Sequence, residues 1–188
     1  MMRTFHLIAI LLILAFAAGT FIGPNPAAAA ASAAEINRNV KSALEKLYAK
    51  STTARTLGEK SKGILVFPSI VKGGFMVGGQ FGEGALIKGG KWAAYYNTVS
   101  ASYGLQIGLQ KYGYALFFMS ESAMDWLDRS DGWEIGVGPS IVVVDTGAAK
   151  SMTTTTLQAE IYAFFFDQKG LMGGLGLQGT KITRMKEK

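Results

Sequence analysis

Apolar and polar positions divide the chain into three unlike stretches. From Leu7 to Ile22 nearly every residue is apolar; from Glu35 to Lys50 apolar residues recur with helical period; beyond Lys62 they come in short runs parted by glycine. In the middle stretch Ile36, Val40, Ala43, Leu44 and Leu47 fall at i, i+4, i+7, i+8 and i+11, the single stripe of an amphipathic helix. At 100° per residue Lys41 lies just beyond one border of that stripe, Lys46 and Lys50 flank the other, and Arg38 lies opposite. Ser32-Ala33-Ala34-Glu35 reads as a capping box at its start. Ser51-Thr52-Thr53 interrupts, and a shorter helical turn through Ala54 and Leu57 ends near Gly58.

The third stretch reads as strands. Gly63–Phe67 is an apolar run closed by Pro68, and Gly74–Phe81 follows with glycines too frequent for ordinary pairing. Such glycines suit sharp bends or the close approach of another backbone, so a strongly curved sheet is expected. Ala85–Lys88, a Gly89-Gly90 turn and Lys91–Tyr96 form a hairpin; Val99–Leu109 and Ala115–Met119 are further strands. Ser120-Glu121 opens a helix of about ten residues that ends at Asp131-Gly132. Trp133–Val144 reads as a bent strand with Ile141–Val144 buried on both faces. Ala148–Ser151 is a loop and Thr153–Phe166 is strand-rich; Asp167–Gly170 turns, and Leu171–Thr183 returns. The fold class is α+β: a curved, barrel-like, mainly antiparallel β-sheet with an N-terminal amphipathic helix and one central helix.

Residues before Glu35 have the marks of a secretory signal: Arg3, the apolar segment Leu7–Ile22, and an Ala-rich region after Pro24 and Pro26. The apolar segment falls short of the roughly 20 residues a spanning helix wants, and an uncleaved anchor is the alternative. Cleavage is expected between 29 and 34. A cut after Ala31 keeps Ser32 as a cap, giving a signal over 1–31 and a single domain over 32–188. The expected address is the bacterial periplasm or cell exterior, peripheral to a membrane. Without residues 1–34 the chain keeps 18 Lys and Arg against 13 Asp and Glu, a net charge of +5 that suits an anionic surface. It has no cysteine, so neither a disulfide nor lipoprotein acylation is open to it.

The only histidine is His6, inside the leader. Ser–His–Asp and Cys–His catalysis and His- or Cys-based metal sites are thereby removed from the exported chain, and no enzyme activity or cofactor is expected. Gly174-Leu175-Gly176-Leu177-Gln178-Gly179 matches a dinucleotide fingerprint, yet too little chain follows for the required helix, strand and acid. Asp125, Asp128 and Asp131 lack EF-hand spacing and read as a solvated face and a turn. No nucleic-acid motif is present. The remaining candidates are basic. Lys60, Lys62, Lys72, Lys88 and Lys91 sit at ends or turns of predicted strands and join Arg38, Lys41, Lys46 and Lys50 as candidate lipid-binding residues.

Lys62-Gly63-Ile64-Leu65-Val66-Phe67-Pro68, Lys72-Gly73-Gly74-Phe75, Gly78-Gly79, Gly82-Glu83-Gly84 and Trp92 resemble the start of the SYLF domain. Gly104-Leu105-Gln106-Ile107-Gly108, Gly138-Pro139, Gly170-Leu171, Gly173-Gly174 and Leu177-Gln178-Gly179 continue the likeness over about 36–184. One departure is Ala93-Ala94-Tyr95-Tyr96 after Trp92, where members commonly have Ser and then Pro. The resemblance implies a non-enzymatic module that binds anionic phospholipid through an amphipathic N-terminal helix and basic residues. In a bacterium, phosphatidylglycerol or cardiolipin fits better than a phosphoinositide. The alternative function is an envelope structural or interaction protein that binds another protein through its curved sheet. A small outer-membrane barrel fits poorly, because it has no place for the helix.

Overall fold

A computed structural model describes residues 31–75, 77–103, 108–144, 159–169, 177 and 179–186. Residues 31–188 form one compact unit that contains both of its hydrophobic cores. Two helices, α1 (Ala33–Lys50) and α2 (Thr52–Lys60), precede four long strands: β1 (Gly63–Phe75), β2 (Val77–Lys88), β3 (Lys91–Tyr103) and β4 (Gly108–Phe118). After them α3 (Glu121–Met124) runs into a 3-10 turn, Asp125–Asp128. Four shorter strands complete the unit: β5 (Trp133–Glu134), β6 (Ile141–Val144), β7 (Ile161–Lys169) and β8 (Lys181–Arg184). The strands make one curled half-barrel in the order β5-β8-β3-β2-β1-β4-β7-β6, antiparallel except where β6 meets β7.

Several boundaries differ from the sequence reading. Pro68 does not close the first strand. Both ladders of β1 shift register there, between Val66 and Ser69 against β2 and between Phe67 and Ile70 against β4. A bulge tolerates a residue without an N–H, so the strand continues to Phe75. The expected strand Gly74–Phe81 straddles a hairpin instead, since Phe75 lies opposite Val77. Lys91–Tyr96 and Val99–Tyr103 are one strand, and residues 104–107 lie outside the described ones. The central helix is cut to α3 and its 3-10 turn, and Trp133–Val144 to two short strands. Ile141–Val144 is an edge strand rather than a doubly buried one, and Val143 is 53% exposed. The turn expected at Asp167–Gly170 is also corrected. β7 runs on to Lys169 through a bulge opposite Lys111 and Gly113, with Asp167 at φ 51, a conformation Asp tolerates. The loop at 148–151, the stretch 153–158 and most of the final glycine motif, including the decoy fingerprint, lie outside the described residues.

One face of the sheet is the inside of the curl. Tyr114 Oη donates to Thr98 Oγ1 at 2.8 Å although β4 and β3 are separated by β1 and β2. Three strand spacings of a flat sheet, about 14 Å, are beyond a tyrosine's reach, so this face must be concave. Two glycines of β2 make the room. A Cβ on Gly84 would collide with the Val66 carbonyl oxygen, and one on Gly82 would lie 2.8 Å from the Ser69 oxygen. Tyr112 Oη donates to Gln80 Oε1 at 2.6 Å, and Gln80 Nε2 donates to Thr180 Oγ1 at 3.1 Å. Met124, Leu127 and Trp133 fill the rest of this core, and Trp133 Nε1 donates to the Val137 oxygen at 2.8 Å.

The other face carries the helices. Ser32 Oγ accepts from the Glu35 N–H at 3.2 Å, and Ser51 Oγ accepts from the Ala54 N–H at 3.1 Å, so each helix starts on a capped amide. The stripe Ile36, Val40, Ala43 and Leu47 packs on Ile64, Val66, Ala85, Ala115, Phe117 and Phe164. Phe117 and Phe164 meet edge to face at 5.2 Å. Val40 and Leu47 are fully buried, each worth about 1.5–3 kcal/mol. No described helix is long and apolar enough to cross a membrane.

Candidate functional site

Because its apolar stripe lies on the sheet, α1 turns its polar side to solvent. Arg38, Lys41, Lys46 and Lys50 are all exposed. Along one flank of α1 a groove of about 700 Å³ is lined by Lys46 and Lys50 from the helix and by Lys111, Asp167 and Lys169 from β4 and β7. Lys50 Nζ lies 3.1 Å from Asp167 Oδ1. The groove thus holds four lysines and one carboxylate, which pairs with Lys50. Lys111 and Lys169 are direct cross-strand partners, an arrangement of like charges that is unfavourable until an anion comes between them. Tyr112 also lines the groove, but its hydroxyl is turned to the concave side, where it donates to Gln80 and burial pushes its pKa up to about 12. The arrangement offers N–H donors and positive charge to a phosphate or carboxylate.

The other predicted residues are dispersed. Lys41 lines a smaller pocket of about 250 Å³ on the opposite flank of α1, with Leu44, Tyr48, Ile87 and Trp92. Lys60 ends α2, where its charge faces the helix's terminal carbonyls. Lys62 precedes β1, at the same end of the sheet as the β2–β3 turn with Lys88 and Lys91. Lys72 is ten residues further along β1, roughly 30 Å of strand away, on the concave side with Gln80 and Gln110. Lys88 Nζ is paired with Glu121 Oε2 at 2.8 Å, and this hydrogen bond holds its pKa above the ordinary value. Asp125 and Asp128 add negative charge beside it, and Arg184 Nη1 meets Asp128 Oδ1 at 3.0 Å. The structure therefore gathers Lys46 and Lys50 but not all nine residues.

Sequence reasoning missed Lys111 and Lys169. Lys111 lay between two predicted strands, and Lys169 lay in a predicted turn. Their one sequence signal was a position at the ends of apolar runs, Tyr112–Phe118 and Ile161–Phe166; only the β4–β7 register brings them together.

Residues 99–188, which include β4, β7 and both of these lysines, match the family model Ysc84, described as Las17-binding protein actin regulator. Over that span the chain is similar to the SYLF domain family. That is a binding-type family, and the matched span takes in the later glycine motifs while α1, α2 and β1 precede it. No curated protein matches the chain. The matched span thus contributes part of a half-barrel that carries two helices on its outer face and a lysine groove at their edge.

Proposed function

We propose that this protein is a non-enzymatic component of the bacterial cell envelope that binds anionic phospholipid at the groove beside α1. The observation that carries the reading is that Lys46, Lys50, Lys111 and Lys169 line one groove in which Asp167 is the one carboxylate among the lining residues. Near an anionic bilayer each lysine is worth about 1 kcal/mol, so the four together make binding strong at ordinary salt. The leader pattern before Glu35 supports export, and the lack of His and Cys beyond His6 supports a role without catalysis.

The test is co-sedimentation of residues 31–188 with phosphatidylglycerol or phosphatidylcholine vesicles at low and high salt. Anionic-selective binding that weakens with salt, and falls about a hundredfold or more in a Lys46, Lys50, Lys111 and Lys169 to Gln variant, is the expected result. Equal binding to both lipids sinks the reading.

The family's description favours a second reading, a protein partner, and the apolar side chains exposed on the outer face of the sheet are compatible with it. Binding through such contacts survives high salt and ignores headgroup charge.

A further inference from the structure

Strand register assembles a row that no stretch of sequence contains. Lys181 lies opposite Val99, Val99 opposite Phe81, Phe81 opposite Val71, Val71 opposite Lys111, and Lys111 opposite Lys169. Directly opposed residues share a face of the sheet, so these six side chains form one line across six strands, about 24 Å along the curve. It is the convex face, beyond the part that the helices cover. Val71, Phe81 and Val99 are each 47% exposed. In the next row Gly73, Gly79 and Ala101 stand beside Leu109, which is 68% exposed, so the three larger side chains project above small neighbours. Contiguous exposed apolar surface of this kind marks an interaction site.

We infer that this row is the part of the molecule that enters the acyl region of an anionic bilayer. The inference rests on the lipid reading above and deepens it by naming what penetrates. Charge complementarity selects the occupant. The apolar centre is bounded at one end by Lys181, with Glu134 opposite it on the edge strand, and at the other by Lys111 and Lys169, so the row's net positive charge lies at the groove end. Lysines so placed lay their stems along the apolar surface and lift their ammonium groups to the phosphates. Lys111 and Lys169 also line the headgroup groove, so groove and row are continuous. A second copy of the chain is a poorer occupant, because stacking two such rows sets three lysines of each against three of the other with only Glu134 to offset them. The stripe of α1 is no rival in this conformation: Val40 is 0% and Leu47 1% exposed, and freeing them would uncover the core beneath.

The chain has no cysteine, so a single one can carry an environment-sensitive fluorophore. Three labelled forms of residues 31–188 are compared, Phe81→Cys, Leu44→Cys and Ser130→Cys, on phosphatidylglycerol vesicles with and without bromine-labelled acyl chains. The expected result is a blue shift and bromine quenching at 81 only, with a tenfold or greater loss of vesicle affinity in Val71→Ser/Phe81→Ser/Val99→Ser at unchanged circular dichroism. Binding with the probe at 81 still in water overturns the inference and leaves the lipid reading standing. Quenching at 44 overturns it in favour of a lifted helix. Unchanged affinity of the triple variant also overturns it, as does a dimer in sedimentation that the triple variant dissolves. If the unsubstituted protein binds no vesicle at all, the lipid reading falls and the inference with it.

Discussion

On one side of the Pro68 bulge, the outer face of the sheet carries Ile64, Val66, Ala85, Ala115 and Phe117, all buried under α1 and α2. On the other side the same face of the same strands carries Val71, Phe81, Val99 and Leu109, all exposed. Both regions carry large apolar side chains on the same strands, and what separates their fates is cover. Under the helices an apolar side chain contributes to stability through burial and contact; in the bare region it adds little to the fold and is available to a partner. The lysines follow the division, since Lys46, Lys50, Lys111 and Lys169 collect where the cover ends.

The comparison can be broken most directly in the covered region. Phe117→Ala, which leaves a cavity against Phe164, should cost about 3–5 kcal/mol of unfolding free energy in urea, and Leu47→Ala about 2–5. Val71→Ser or Val99→Ser should move the same midpoint by no more than about 0.5 kcal/mol each. Equal costs in the two regions would mean that the bare region is covered after all.

A second prediction concerns the concave side. Burial raises the pKa of Tyr96 and Tyr112 to about 12 and that of Tyr114 further still. These groups hold their protons more tightly folded than unfolded, where the value is near 10. Stability should therefore be flat in this respect below about pH 10 and fall as pH rises through 10 to 12. Urea midpoints across that window, read beside phenolate absorbance, check it. Tyrosines that all titrate near 10 without unfolding would contradict the buried network.

Smaller effects sharpen the boundary. Replacing Lys111 and Lys169 with Gln removes an opposed like-charge pair, so stability should hold or rise by a few tenths of a kcal/mol while anionic vesicle binding falls about tenfold. Asp167→Asn keeps a residue that tolerates positive φ but removes the groove's one carboxylate. The exposed Lys50 pair is worth about 0–1 kcal/mol, so stability should barely change, and affinity for phosphatidylglycerol vesicles should rise a few-fold.

Local pattern was enough for much of this molecule. The stripe of α1, the Ser32 cap and the Gly89-Gly90 turn depend on residues within a few positions of one another, and all three stand in the structure. The inference that closely spaced glycines admit another backbone also holds, at Gly82 and Gly84. Pro68 and Asp167 look like strand ends in the sequence, but turn residues also serve at bulges, and only a paired neighbour distinguishes the two. The exposure of Val142 and Val143 was missed because an apolar run looks the same at a sheet's edge as at its centre.

From its own order of residues the chain determines the amphipathic helix, the glycine-bent strands, a positive balance, the absence of His and Cys chemistry after His6, and its resemblance to the SYLF family. Tertiary structure alone decides that Lys111 meets Lys169, that Lys88 faces Glu121, and that Val71, Phe81 and Val99 line up in the open. The physical reason is register. A one-residue bulge changes which side chains share a row and a face, and each row is completed by strands far apart in sequence.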